Sequence, residues 1–492
     1  MFLRKKLFAP DVLQVLVRCA IGMMCLLALV LRVSLYHVET SDYTIFVSQW
    51  YDFIQTHSGF AALKYNFSNY NVPYLYLLAL ITYLPIPKLI AIKTLSVVFD
   101  AVLGLFAYLI ISLKYKHSSA AMIGALVVVC APTIFINSAA WGQCDAIYTA
   151  FCLGSLFFLL KQRSAWACVF FALALSFKLQ AIFFLPVLLM LLLRRKLPLK
   201  YLALIPLIFL LMLVPALIAG RDAPSLLTIY AGQVTSNSGA PGPFNGGAPG
   251  PLGGGPFNGG APRPLDGIGT GPFNGGAPGP LGGRGTGPFN GRLPGPLDGG
   301  SFGGSSVSSS SLTANAPSFY QWLPANAPMY WKWIGILLAA AVVVLVGVLL
   351  VASKKQLTSA ILLKVTLMFA LSIPFLLPEM HERYFYLADV ISIIYAFYFP
   401  RSFYIAVIMQ LCSLLSYAPY LIHTQIVSLA YVAVAVLMIT VITLADLVLT
   451  LYPGIRKRAR VLDVFSDEAL PKTADESVSL GISGDEKRSY ML

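Results

Sequence analysis

From position 333 the chain reads Trp333-Ile334-Gly335-Ile336-Leu337-Leu338-Ala339-Ala340-Ala341-Val342-Val343-Val344-Leu345-Val346-Gly347-Val348-Leu349-Leu350-Val351-Ala352, a run without a single charge. An α-helix of about 20 such residues crosses the roughly 30 Å of hydrocarbon in a bilayer. Runs of this kind recur near 12–35, 90–112, 118–137, 143–160, 164–179, 181–193, 198–219, 332–352, 357–377, 384–399, 402–420 and 424–450, about twelve in all. Of the 492 residues, 58% are hydrophobic and only 11% charged, and mean hydropathy is +0.77. A soluble domain carries about 25% charge, so a soluble fold is excluded. A β-barrel would alternate polar and apolar residues, so the expectation is an all-α polytopic transmembrane protein.

The net charge of +14 comes from 34 basic and 20 acidic side chains, and the basic ones sit between the apolar runs. Arg4-Lys5-Lys6, Lys114 with Lys116, Lys161 with Arg163, Arg194-Arg195-Lys196, Lys354-Lys355 and Arg456-Lys457-Arg458 are the main clusters. Such loops mark the cytoplasmic face, so the basic charge reports topology and no nucleic-acid partner is expected. The stretch 72–87, interrupted by Pro73, Pro85 and Pro87, is too short to span. Read as an interfacial helix in the first outer loop, it puts every basic cluster, and both termini, on the cytoplasmic side. The first run lacks a small-residue cleavage signature and is expected to be retained. Five of the seven cysteines lie inside apolar runs, and none has metal-ligand spacing.

The chain then divides into an amino-terminal membrane half (1–220) with an outer loop at 36–90, a flexible outer loop (221–330), a carboxyl-terminal membrane half (331–455) and a disordered cytoplasmic tail (456–492). Within the loop, Gly-Pro-Phe-Asn-Gly-Gly-Ala-Pro-Gly-Pro-Leu starts at Gly242 and recurs with variations from Gly255, Gly271 and Gly287. This Gly/Pro-rich repeat (239–311) has too little apolar surface to form a core, and without glycine at every third position it is not collagen.

Ionisable residues near a membrane must be solvated, paired or functional. One cluster follows the first span and contains Glu39, Asp42 and Asp52; Asp42 either caps the helix after it or acts chemically. A second is Trp141-Gly142-Gln143-Cys144-Asp145, where Trp141 suits an aromatic belt and Asp145 a helix amino terminus. Lys178-Leu179-Gln180 places a lysine at a span boundary, where it needs a partner. The densest is Glu379-Met380-His381-Glu382-Arg383, either a closing set of salt bridges or a phosphate site, since arginine offers a bidentate fork and histidine a donor. Asp100, inside a span, is expected to pair with Lys178 or Arg383. Walker glycine loops, HExxH and nucleophile elbows are lacking, so ATP use and zinc hydrolysis have no support.

An acid after the first span, Gly142-Gln143-Cys144-Asp145, Phe177-Lys178-Leu179-Gln180 and His381-Glu382-Arg383-Tyr384 together resemble the GT-C superfamily of integral-membrane glycosyltransferases. Within it the set is particularly similar to bacterial mannosyltransferases related to the enzyme that adds the second mannose of GPI anchors. His381-Glu382-Arg383 is also similar to the His-Glu-Lys turn of eukaryotic glucosyltransferases that use dolichyl-phosphate glucose. The resemblance covers about 36–200 and 357–420. It implies transfer of a hexose, mannose favoured, from a polyprenyl-phosphate carrier to an acceptor on the outer face, with inversion. It implies Asp42 as general base with Asp145 the competing choice, His381, Arg383 and Lys178 on the carrier phosphate, and Gln143, Gln180 and Glu382 on sugar or acceptor hydroxyls. Asp42 lacks the paired acid that several such families carry, which leaves divalent-metal dependence open; no other cofactor is expected. The acceptor would be a glycolipid, cell-wall polymer or protein, and the membrane the plasma membrane in a bacterium or the endoplasmic reticulum in a eukaryote. The alternative is a lipid-linked sugar flippase or transporter, although the two halves show no matched pair of broken helices.

Overall fold

The computed structural model describes residues 10–116, 118–236, 312–324 and 326–455. The repeat at 239–311, the tail at 456–492 and the basic cluster at 4–6 lie outside the described residues. The chain is an all-α polytopic membrane protein, with one two-stranded ribbon among the described residues.

Each expected apolar run forms a helix, but the runs differ in what they can cross. Seven helices are long and apolar enough to span: Val12–Leu35, Lys88–Ser112, Leu199–Ile218, Tyr330–Ala352, Ser359–Leu376, Pro400–Leu421 and Leu429–Leu451. An eighth is the pair Ser119–Val129 and Pro132–Ala140, bent by 49° where Pro132 interrupts backbone hydrogen bonding. The remaining four expected spans are the shorter helices Asp145–Leu160, Ser164–Phe177, Leu179–Leu193 and Tyr386–Tyr398. Their side chains are largely buried against other parts of the protein. The 72–87 stretch yields Val72–Ile81, started by Asn71, which accepts from the Val72 amide, and by Pro73 in the first turn. At 10 residues it is about 15 Å long, too short to cross, and Val72, Leu75, Leu78 and Ala79 are fully enclosed by protein.

Ser359–Leu376 is the central pillar, buried on nearly every face. The first helix, Pro10–Leu35, is the most peripheral and is tied to the rest by polar contacts. Arg32 donates to Asp100 at 2.6 Å and to the Val129 carbonyl, while Lys93 donates to the carbonyls of Leu35, Tyr36 and Val38. Asp100 therefore pairs with Arg32, not with Lys178 or Arg383, because it faces the first helix and the Ser138 hydroxyl. Inside the expected loop 221–330, Ala223–Leu227, Ile229–Ser236 and Phe319–Trp322 are helical, and Thr313–Ala314 forms strand β1.

Candidate active site

Two π-helical turns bring the site together. The first, Tyr43–Val47, follows Asp42, and the second, Ile136–Ala140, ends at Trp141. A π-turn inserts a residue into the helical register and re-aims the side chains at its ends. Asp42 makes no capping hydrogen bond, so the N-cap alternative is set aside. Its carboxylate instead turns inward, where Oδ2 accepts from Gln143 Nε2 at 2.7 Å and Trp141 Nε1 at 3.1 Å and faces Arg383 Nη1 at 3.1 Å. Asp42 lines a cavity of about 280 Å³. The Asp42 amide is held by the Tyr420 hydroxyl at 2.9 Å.

Trp141 is buried and stacks on Tyr420 with ring centroids 4.6 Å apart, so it is part of the site and not of an aromatic belt. Its face also carries the Arg383 guanidinium at 5.3 Å, a cation–π contact that fixes the arginine plane. Gly142, at φ +71°, makes the sharp turn between Trp141 and Gln143 in a conformation that glycine adopts without strain.

Behind this layer lies a fully buried ionic layer. Asp145 is 1% exposed, with Oδ1 bound to Lys178 Nζ and Oδ2 accepting from Asn137 at 2.9 Å. Arg383 Nε lies 3.8 Å from Asp145, and Nη1 donates to Glu382 at 3.1 Å. Burial works against the Arg383 charge, but Asp42 and Glu382 outweigh it and push its pKa up. Burial likewise opposes the Lys178 charge, and Asp145 overrides it. Burial pushes Glu382 up to about 7 against the pull of Arg383. For His381, burial followed by the positive charge of Arg383 pushes the ring down to about 4, although 37% of its side chain opens on the cavity. The site thus holds two fixed cations, Arg383 and Lys178, and a histidine that is neutral near pH 7.

Six of the sequence-derived candidates line the cavity: Asp42, Gln143, Lys178, Gln180, His381 and Arg383. Asp145 and Glu382 stand behind it, supporting the cations. The Gln180 Oε1 is enclosed and without a hydrogen-bond partner among the described residues. Trp50 and Tyr70, with ring centroids 5.1 Å apart, supply an aromatic wall that sequence reasoning passed over; the aromatic spacing after Asp42 was its signal. Asp52 stands apart, paired with Lys88 at 2.8 Å on the surface. Among the described residues no group of three His, Cys, Asp or Glu side chains is spaced to hold a metal ion.

A polar cavity lined by a carboxylate, an arginine and a lysine inside a membrane-embedded helical bundle can accept a proton and stabilise negative charge that develops on a leaving group. Residues 67–251 match the model of a family described as Glycosyltransferase family 87, and this match supports a membrane glycosyltransferase, which needs a sugar donor and an acceptor. The matched part contains Gln143, Asp145, Lys178 and Gln180, while Asp42, His381 and Arg383 lie outside it. No curated protein matches the chain.

Proposed function

We propose that the protein transfers a hexose, mannose favoured, from a polyprenyl-phosphate carrier to an acceptor hydroxyl with inversion, at the face away from the cytoplasm. The observation that carries this reading is the Asp42 carboxylate. One oxygen is fixed by Gln143, Trp141 and Arg383, and the residue lines a cavity together with Lys178, His381 and Arg383.

In the proposed step the acceptor oxygen attacks C1 of the sugar on the side opposite the phosphate. Its proton passes to the Asp42 carboxylate as the new C1–O bond forms, which requires hydrogen-bond reach between the two. The old C1–O bond breaks with its electrons moving onto the carrier phosphate, which departs. Charge growing on that phosphate is met by Arg383 and Lys178, already in place and partly desolvated. Arg383 lines the cavity and offers a fork of donors to a phosphate oxygen, and neutral His381 can donate one hydrogen bond. Asp145, enclosed and shared between Lys178 and Asn137, suits a role of holding the cations better than that of base. Trp50 and Tyr70 suit an apolar sugar face, and Gln180 a sugar hydroxyl.

The test is to supply purified protein in detergent with short-chain polyprenyl-phosphate mannose or glucose and a membrane lipid extract, and to assign the anomeric configuration of the product by NMR. Carrier phosphate released only when acceptor is present, with an inverted product, is the expected result. A retained configuration rules out the single displacement. Carrier that crosses a proteoliposome membrane without being cleaved assigns the protein to lipid transport instead.

A further inference from the structure

The loop that bears His381 and Arg383 is held by a segment from the far side of the repeat. Strand β1, Thr313–Ala314, runs parallel to strand β2, Met380–His381, with Thr313 opposite Met380 and Ala314 opposite His381. Asn315 adds a further bridge to His381, and the Glu379 amide donates to the Leu312 carbonyl at 2.8 Å. We propose that Leu312, Thr313, Ala314 and Asn315 form a positioning strand for the carrier-phosphate loop, so that residues following the repeat set where His381 and Arg383 point; this rests on the reading of the site above.

Backbone geometry marks the loop as one that needs holding. Glu379 and Asn315 both have φ of 60°. Asparagine tolerates the left-handed region, whereas a glutamate stays there only when its surroundings over-determine it. Those surroundings are the Leu312 carbonyl, the strand pairing, and an ion pair between Lys332 and the Glu379 carboxylate.

A two-residue strand pair does not sustain itself in water, so β1 must be anchored by its own chain. Ala316 and Ser318 are fully enclosed, and Gln321 donates to the Ala316 carbonyl at 2.8 Å. Trp322 Nε1 donates to the Ala430 carbonyl at 3.0 Å, and its ring meets Phe375 edge-on at 5.7 Å. The Tyr320 hydroxyl lies so close to Gly335 that a Cβ there would meet it at 1.8 Å, so the tyrosine rests directly on helix Tyr330–Ala352. The strand is therefore fixed to three membrane helices, Tyr330–Ala352, Ser359–Leu376 and Leu429–Leu451, by contacts that do not involve the repeat. From β1 the constraint passes to His381 by pairing, and Arg383 follows two residues later.

The test uses the full chain carrying Ala314→Pro, which removes an amide at the paired position, with Ala314→Ser as the conservative variant. Hydrogen exchange over 379–383 and steady-state release of carrier phosphate are followed in parallel. Expected for Ala314→Pro is faster exchange in that loop and a rise in carrier KM of about tenfold to a hundredfold with a smaller change in kcat, while Ala314→Ser stays near wild type. A folded Ala314→Pro protein with wild-type exchange and wild-type KM overturns the proposal. If the wild type itself releases no carrier phosphate, the transferase reading fails, and the exchange data alone decide: unchanged exchange in Ala314→Pro rejects the strand's role, and accelerated exchange upholds it for whatever His381 and Arg383 bind.

Discussion

Arg383 Nη1 lies 3.1 Å from Asp42 Oδ2, so the proposed base and the proposed phosphate ligand form one ion pair. Each neutralises the other. In the proposed reaction a carrier phosphate would compete with Asp42 for the guanidinium, and the carboxylate so loosened would become the better proton acceptor. Gln143 and Trp141 keep Asp42 in place during that exchange.

Arg383→Lys keeps a cation but loses the planar fork that reaches Asp42, Glu382 and a phosphate together. Turnover should fall by roughly 10² to 10³, the range for loss of one preorganised charge-stabilising group, with carrier KM also raised. Steady-state kinetics with a short-chain donor read both. A wild-type kcat/KM in Arg383→Lys would remove the arginine from the mechanism.

Asp145→Asn leaves Lys178 enclosed without its counter-charge. Breaking a buried pair from one side costs about 3–5 kcal/mol, and both side chains here are nearly inaccessible, 8% and 1% exposed. The expected outcome in a detergent thermal melt is a large loss for Asp145→Asn and partial recovery in Asp145→Asn with Lys178→Met. Because Lys178 lines the cavity, the double variant should regain stability without regaining carrier use.

Much of this was legible because charge is costly in an apolar chain. The few ionisable residues at span ends, Asp42, Asp145, Lys178 and the His381-Glu382-Arg383 turn, could be singled out before their contacts were known, and the structure brings them within one site. Pairings were less legible. Arg32, inside the first apolar run, gave no hint that it reaches Asp100, since spacing along the chain does not say which helices face each other. Trp141 looks the same in sequence whether it lies in a belt or donates to a carboxylate. The runs at 143–160 and 164–179 form the helices Asp145–Leu160 and Ser164–Phe177, whose bounds agree within two residues. Residues 312–322 were absorbed into a flexible loop because a Gly/Ser tract precedes them, although Phe319, Tyr320 and Trp322 supply the apolar contacts that order them.

Glu382 gives a pH signature. Its pKa is raised from an ordinary 4.5 to about 7 by burial, so between those values the folded protein keeps a proton that the unfolded chain has lost. Stability from this group therefore declines as pH rises through that window and levels above it. His381, pushed down to about 4 from 6.5, acts in the opposite sense between those values. Since His381 is common to both proteins, the difference in melting temperature between Glu382→Gln and wild type isolates Glu382. That difference should grow in favour of the variant from pH 5 to 7 and then flatten; a difference that does not vary with pH contradicts the assignment.

Asp100→Asn should loosen the first helix, because Arg32 then faces a neutral amide in an enclosed setting, at a cost of about 3 kcal/mol. Ser138, which donates to Asp100 at 2.5 Å, lies in the π-turn that ends at Trp141, so activity should drop along with the melting temperature. Loss of stability with full activity would show that the π-turn does not depend on this pair.

The most direct test of the central claim is a single-turnover comparison of wild type and Asp42→Asn, following carrier-phosphate release with saturating donor and acceptor. Asparagine can still accept from Gln143 and Trp141 but cannot take the acceptor proton, so release should slow by about 10² to 10⁴ while donor affinity stays within a few-fold. Equal release from the two proteins would contradict Asp42 as the base.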